Sequence, residues 1–498
     1  MKAIAVLLLM GTTALPFLQG CAVGPDFRPP AAPKVARYTA TPLTPTVSTP
    51  DVAGGGAQRF VVTGNIPGEW WALFHSRPLN DLVERALKNN PDLKAAQAAL
   101  SAARENVLAQ EEAYYPGSTG SVSASRQKTS AQLSPTPNSG ALYFSLYTPQ
   151  VSVSYIPDIF GLNRRTVEYL GAQADQARFA LTATQITLTS NVVVAAIQEA
   201  SIRTQIGAAR KLVAINTEIL KVLRNQYSKG YASRLDVATQ RAQLAQAVAA
   251  LPPLLKQLAQ QRDLLVALCG GYPDQNIAGT FTLSELQLPQ RLPVSLPSAL
   301  VEQRPDIKMA EANLHAASAQ VGIAVANRLP NITLTASAGT AALSTGQIFA
   351  GGAGFWSLGA GLTQTLFDGG ALLHKERAAR DAYIQATAQY RSTVITAFQN
   401  VADTLNALEQ DARALKSAAE AANDTKTAFD LVKRQVMAGY TSNVALANAE
   451  ITYQQALSNL VQAEANRYAD TAALFLALGG GWWNTGYKVS GTAESSDR

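Results

Sequence analysis

Hydrophobic and polar residues follow two different periods along this chain, and the change from one to the other happens twice. Residues 79–112 are alanine-rich and built from good helix formers, with an early break at Pro91 and a stop at Pro116-Gly117. Residues 120–125 and 150–155 then alternate small polar with apolar side chains at period two, which predicts two strands around a polar loop holding Pro135, Pro137 and Gly140. Residues 164–227 contain no proline and predict a single helix of about 100 Å at the rise of an α-helix. Gly230 turns the chain back into a helix over 235–268, where Pro252-Pro253 removes two donors and forces a kink or break.

The same order then repeats. Strands are predicted at 331–339 and 358–366 around the glycine-rich stretch 346–354, a second long helix at 372–437, a turn at Gly439 and a return helix at 443–478. The repeat is visible in the letters as well. Asn90-Pro91-Asp92-Leu93-Lys94 returns as Arg304-Pro305-Asp306-Ile307-Lys308, and Tyr115-Pro116 returns as Leu329-Pro330 at the same offset. Further on, Gln226 to Leu251 aligns with Gln435 to Leu460, and Cys269-Gly270-Gly271 with Gly479-Gly480-Gly481. Two long copies make a tandem duplication and not a solenoid, with a first structural repeat at 71–290, a second at 291–482 and a tail at 483–498.

Four short strands with one apolar face cannot close on themselves, and an open edge in lipid would leave backbone groups unpaired at several kcal/mol each. Other chains must complete a barrel. Outer-membrane barrels begin at about eight strands, so periodicity alone allows two to four protomers. No segment after the N-terminus has eighteen consecutive apolar residues, so a crossing by the mature chain would be made by strands.

Composition narrows the function. The chain is 47% hydrophobic, 7% aromatic and 15% charged, and its net charge of +6 is spread over scattered single basic residues, which argues against nucleic acid as a partner. Two cysteines, Cys21 and Cys269, and three histidines, His75, His315 and His374, are too few for a disulfide framework or a structural zinc site. No GxSxG, HExxH or GxxxxGK[ST] is present, so neither an enzyme activity nor a cofactor is expected. Cys269 reads as a small packed hydrophobe, and His374-Lys375-Glu376-Arg377 as a solvated stretch.

Residues 1–20 carry a short charged start, an apolar run and small residues before Cys21, the pattern of an export signal. The ending Leu18-Gln19-Gly20-Cys21 resembles a bacterial lipobox, in which Cys21 becomes the first residue and carries N-acyl and S-diacylglycerol chains such as palmitate. Ala22 after the cysteine implies the outer membrane of a Gram-negative cell. Residues 21–70, rich in Pro, Thr, Ala and Gly, read as a lipid-anchored extended tether outside any core.

Taken in order, Cys21-Ala22-Val23-Gly24-Pro25-Asp26-Phe27, then Trp71, Phe74 and Leu79, Arg304-Pro305-Asp306, Leu366-Phe367-Asp368-Gly369-Gly370 and Gly479-Gly480-Gly481-Trp482 resemble the TolC-like outer membrane factor family, in its lipoprotein branch. The resemblance covers essentially the whole mature chain. It implies a mixed α+β membrane protein: a homotrimer whose four strands per chain form a twelve-stranded outer-membrane β-barrel that continues into a periplasmic α-helical barrel. It implies an exit duct of a tripartite efflux pump, partnered by a periplasmic adaptor protein and an inner-membrane resistance-nodulation-division (RND) transporter. A type I protein secretion duct and a structural envelope lipoprotein are the alternatives.

Residue roles follow from the same resemblance. Gly230, Tyr231 and Ser233 in one copy and Gly439, Tyr440 and Ser442 in the other mark two helical tips that would meet the adaptor, and glycine and serine there also suit helix capping. Asp236 matches an acidic residue just past the first tip. Many relatives place an aspartate after the second tip in a charged ring that gates the pore; this chain has Asn448 there, so either the gate closes by hydrogen bonds and packing or another group such as Glu450 substitutes. Asp158, three residues before Gly161, and Asp368, beside Gly369, stand where strand gives way to helix and read as turn and helix-start chemistry.

Overall fold

The computed structural model describes residues 22–62, 66–128, 143–275 and 279–484. The signal peptide, Cys21, the loop prolines Pro135 and Pro137 with Gly140, and residues 485–498 of the tail lie outside the described residues. In chain order the first copy contributes β1 (Arg59–Val62), α1 (Arg77–Asn89), α2 (Pro91–Glu111), β2 (Gly117–Lys128), β3 (Tyr143–Tyr155), α3 (Leu162–Ser228), α4 (Arg234–Ala249) and α5 (Leu251–Leu268). The second contributes β4 (Arg291–Val294), α6 (Pro297–Gln303), α7 (Pro305–Ala326), β5 (Asn331–Thr340), β6 (Gly354–Thr363), α8 (Ala371–Met437) and α9 (Asn443–Ala477). Both long helices are continuous over 67 residues. One stretch of α3 is long and apolar enough to cross a membrane, but 61% of it is buried inside the chain, as a packed helix requires.

Two compact units divide these elements, and each repeat contributes to both. One unit holds the chain up to Pro30 with Ala99–Ala177 and Ala310–Tyr390; the other holds Ala31–Ala98, Arg178–Met309 and the chain from Arg391 onward.

The first unit is organised by one antiparallel sheet in the order β2-β3-β5-β6. Its strands differ from the sequence expectation at their ends, for local reasons. Strand β3 starts at Tyr143 and not at Gln150, because Pro149 interrupts the ladder without moving the register: Gln150 pairs with Gly339, and Tyr147 pairs with Ala342 on the same count. Proline has no N–H to give at that point, so only one stretch of bonds is lost. Strand β6 runs over 354–363 and not 358–366, since Gln364 turns its side chain back to donate to the Arg328 carbonyl at 3.0 Å and ends the pairing. Beside the sheet, Val321 and Ala324 of α7 pack on Ala379 of α8. Glu376 corrects another expectation: it is buried and accepts from Arg328 and from Arg380, 2.8 Å away, so the stretch around it is not merely solvated.

The second unit is a set of helices whose contacts rest on small side chains. Ala195, Ala196 and Ala200 of α3 and Ala397 and Ala412 of α8 are buried, and alanine lets helix axes approach closely. The break between α1 and α2 and its counterpart between α6 and α7 do the same task with different residues. Asn90 caps α2 by accepting from the N–H groups of Asp92 and Leu93, while its Nδ2 donates to the Leu268 carbonyl at 3.0 Å. Arg304 donates to the Ala477 carbonyl at 2.8 Å. Each thereby occupies a carbonyl that the end of a return helix leaves free. Gly270 lies against the Asn89 carbonyl and Gly479 against the Gln303 carbonyl, closer than any Cβ could come. The structural equivalent of Cys269-Gly270-Gly271 is therefore Leu478-Gly479-Gly480, one residue from the alignment by letters. Cys269 itself is buried with its thiol 3.7 Å from the Leu82 carbonyl, and burial pushes that thiol's pKa up.

The tether expectation is corrected in its second half. Residues 46–62 belong to the core of this unit: Thr46, Thr49 and Gln58 are buried, and β1 pairs in parallel with β4. Threonine- and glycine-rich backbone without its own helix or long strand needs outside donors, and the buried Arg467 on α9 supplies them. It reaches the Leu408 carbonyl at 2.9 Å and, at 3.3 Å each, Thr46 Oγ1 and the Gly56 carbonyl. Gln58 adds a bond from Nε2 to Thr471 Oγ1 at 2.9 Å. Trp70 stacks on Phe475 at 5.2 Å and Phe74, one of the residues carrying the sequence resemblance, lies 6.3 Å from Tyr468, so both rings close the same core.

Glu464 sits in this interior, and burial raises its carboxyl from 4.5 to about 7, outweighing its bond with the Ala53 amide. The folded state holds a proton there between pH 4.5 and about 7 that the unfolded chain has released, so this group's contribution to stability falls as pH rises through that window and is flat above it. In Glu464→Gln that decline should shrink, read as unfolding midpoints in detergent across the window. An unchanged pH profile would show that Glu464 is not the group responsible.

Candidate functional site

The sheet register sorts the strand residues into two chemically distinct faces. Val122, Pro149 and Val151 lie on one face with Leu334, Ala336, Ala338, Trp356, Leu358 and Leu362, because Val151 pairs with Ala338, Ala338 with Trp356 and Ala336 with Leu358. The other face carries Ser121, Ser123, Ser152, Thr335, Ser337 and Ser357, with Ser337 and Ser357 sharing a 2.8 Å hydrogen bond. Val122 is 81% exposed and Trp356 75% exposed, so the apolar face is uncovered within one chain. Among the described residues, the outer edges of β2 and β6 have no strand beside them. An apolar face, a small-polar face and two free edges form a segment of a barrel wall that is finished only by further strands.

The tips are built alike. At the end of α3, Gly230 takes φ +78°, its N–H bonds to the Tyr227 carbonyl and the N–H of Tyr231 reaches back to the Gln226 carbonyl at 2.9 Å. At the end of α8, Gly439 takes φ +79° and the N–H of Tyr440 reaches the Gln435 carbonyl at 2.8 Å. These are Schellman closures, which require glycine at the left-handed position. Each closure then hands over to a serine N-cap, Ser233 for α4 and Ser442 for α9. The turn leaves one aromatic residue outward in each copy: Tyr231 is 82% and Tyr440 86% exposed. Beside the second tip an open groove of about 710 Å³ is lined by Asp430, Lys433, Arg434, Met437 and Ala438.

Asp236 does two things at once. It completes a capping box with Ser233, accepting from the Ser233 amide at 2.9 Å while its own amide donates to Ser233 Oγ at 3.1 Å. Its other oxygen accepts from Asn443 Nδ2 at 2.9 Å, which ties the start of α4 to the start of α9. Hydrogen bonds from Ser233 and Asn443 hold its carboxyl below the usual value of 3.8, so the contribution of these bonds is present at neutral pH and is lost as pH falls through the lowered value. Asn443 carries this link and was not singled out from the sequence. The available signal was the aligned pair itself, because Ala445 stands where the first copy has Asp236, so one acid must serve both tips.

The gate candidates separate. Asn448 is exposed on α9. Glu450 is buried, accepting from Asn216 Nδ2 on α3, while Gln240 Nε2 on α4 donates to Asn216 Oδ1 at 2.7 Å. This corrects the expectation that Glu450 stands in for a gate aspartate: its carboxylate faces the interior of the helical layer, and burial pushes its pKa up. Beneath these residues Ile219, Leu223, Phe429 and Leu446 form one cluster, with Phe429 stacked on Tyr453 at 5.8 Å. Among the described residues no group of three or more His, Cys, Asp or Glu is placed to hold a metal ion.

Comparison with known proteins agrees with this geometry. The family model described as outer membrane efflux protein matches residues 82–271 and 296–480, one stretch in each copy. The toluene efflux pump outer membrane protein TtgC of Pseudomonas putida is 31% identical over 493 residues, covering 96% of each chain. The solved outer-membrane channel OprN aligns at a TM-score of 0.81 and 26% identity, over 93% of this chain and 100% of that one. The Campylobacter jejuni CmeC outer membrane channel shares the fold at a TM-score of 0.82 and 21% identity, over 93% and 95% of the two chains. A two-faced, open-edged sheet and paired helical tips, within a match across both copies, establish that this chain belongs to the outer membrane efflux protein family.

Proposed function

We propose that three copies of this chain assemble into the exit duct of a tripartite efflux pump in the outer membrane. The observation that carries the assembly is the four-stranded sheet with an apolar face and two free edges. Three copies give twelve strands, joining β6 of one chain to β2 of the next and leaving no backbone edge in lipid. The serine- and threonine-lined face then borders the pore, and substrate passes without any chemical step.

The tips at Tyr231 and Tyr440 are the docking surface for a periplasmic adaptor, and the groove at Lys433 and Arg434 supports that role by placing charge beside an exposed aromatic. The adaptor in turn connects to an inner-membrane RND transporter, which selects the substrate. The toluene relative supports small apolar molecules as cargo. Acyl chains on Cys21 anchor each copy in the outer membrane.

Two experiments test this. The first is crosslinking in living cells from a tag after Arg498, with identification of the recovered inner-membrane protein and an ion-current measurement on the purified protein in a bilayer. An RND transporter with its adaptor, together with a current, is the expected result. An ATP-driven exporter would move the assignment to protein secretion, and absence of current would leave only a structural lipoprotein.

The second concerns the gate. With Asn448 exposed and uncharged, closure rests on the Asp236 to Asn443 bond and on packing at the tips, and divalent cations should have little effect on the resting current. Asn448→Asp would introduce three carboxylates near the three-fold axis, so millimolar divalent cations should now reduce conductance. A current that remains indifferent to divalent cations in the variant would take Asn448 out of the gate.

A further inference from the structure

The motif Ala22-Val23-Gly24-Pro25-Asp26-Phe27 lies outside the sheet and the helices, yet side chains and backbone of the first unit hold it along its length. Arg165, near the start of α3 and only 4% exposed, turns its guanidinium onto it. Its Nε donates to the Val23 carbonyl at 3.0 Å, and Nη2 donates to the Gly24 carbonyl at 3.4 Å and to Asp26 Oδ1 at 2.9 Å. Nη1 donates to Glu168 Oε2 at 2.7 Å, which fixes the guanidinium from the other side. The second Glu168 oxygen lies 2.9 Å from His315 Nε2, and the His315 ring stacks on Phe27 at 4.3 Å with a 14° tilt.

Glycines make the seat. A Cβ on Gly24, which has φ +98°, would come within 2.4 Å of Gly322 Cα on α7, and one on Gly322 would meet the Arg165 side chain at 2.8 Å. A Cβ on Gly161 would meet Ala22 Cα at 2.7 Å, and the Val23 amide donates to the Phe160 carbonyl at 3.2 Å. Gly161 and Phe160 form the junction between β3 and α3. From Ala22 onward the segment thus passes through a socket in which backbone touches backbone.

We propose that this socket is a clasp for the lipid anchor: Arg165, Gly161, Gly322 and the Phe27–His315 stack hold the start of the mature chain at the strand–helix junction, so that the acyl chains lie against the rim of the sheet's apolar face. The inference rests on the proposed acylation of Cys21. The partner is a lipid surface, and the extended stretch follows the clasp instead of separating it from the membrane. Arg165 and the glycines are positioning residues; they touch the segment and not the lipid.

The test uses the full-length protein expressed in cells fed a fatty acid bearing a terminal diazirine, in wild type, Gly24→Ala and Arg165→Met. Mass spectrometry of the N-terminal peptide reads acylation, and unheated gels read assembly. After illumination, crosslinks in wild type should map to peptides containing Tyr155, Ile332 and Leu362, the apolar residues at the junction end of the strands. Both variants should remain acylated and assembled, lose those crosslinks and exchange the Val23 amide rapidly with deuterium. Gly24→Ala acts on the segment alone, so it decides the matter if Arg165→Met fails to assemble. Crosslinks unchanged in Gly24→Ala, or mapping elsewhere in wild type, would overturn the clasp with acylation intact. An unmodified Cys21 would instead remove the acylation and the clasp together.

Discussion

A backbone donor or acceptor in lipid must find a protein partner, and the free edges of β2 and β6 are where this chain cannot meet that demand alone. Each unpaired group would cost several kcal/mol in hydrocarbon, far more than a typical hydrogen bond contributes in water. The edges therefore dictate assembly before any side chain is considered. They also explain why the pairs β2-β3 and β5-β6 come from different repeats: a duplicated hairpin widens the sheet each chain brings, so fewer copies close a ring. The faces follow from the same requirement. Once closed, alternation at period two places Trp356, Leu358 and Leu362 on the lipid side and Ser121, Thr335 and Ser357 on the other without further design.

Duplication supplies the helices too, but the two copies have diverged where a single chain must contact itself. Asn90 and Arg304 occupy equivalent breaks and both hold the last carbonyls of a return helix, one through an amide and the other through a guanidinium. At the tips the glycine closures have stayed alike because only glycine takes φ near +80° without strain. The capping residues have not: Asp236 has no acidic counterpart, and its spare oxygen holds Asn443 of the other hairpin. Neutral Asn448 and the inward Glu450 fit the same picture, in which polar links run between hairpins of one chain.

Periodicity and punctuation made most of this fold legible. The four strands, the two 67-residue helices and the glycine turns follow from alternation, the absence of proline and the pairing of glycine with serine. Strand ends were less visible, because Pro149 looks like a terminator until the register shows that it merely forfeits one donor, and Gln364 looks like strand until its side chain is seen to bond Arg328. What local pattern could not reveal was burial decided at long range. Residues 46–62 have the composition of a linker, and partners far along the chain, Arg467 and Thr471 about four hundred positions away and β4, make them part of a core. Glu376 likewise reads as a solvated acid until Arg328, beyond the end of α7, claims it, and Glu450 reads as a gate acid until Asn216 on α3 does. At the candidate site the tips were readable as capping chemistry, whereas the Asp236 to Asn443 link required the two hairpins to be placed side by side.

The polar face of the sheet bears on what such a duct can do. Serine, threonine and glycine offer short, uncharged groups, and Ser337 and Ser357 already satisfy one another. Along the described strands this face carries no charged side chain, and its apolar ones, Phe144, Leu146 and Phe355, gather toward the end away from the helices, so a solute passing the serine-rich remainder is held weakly. Conduction favours that arrangement, since a site that binds well also releases slowly. Selection must then be made elsewhere, at a surface that recognises both cargo and duct. The exposed tyrosines at the two tips, rigid aromatic groups presented on capped turns, are the features of this chain best suited to being recognised in turn.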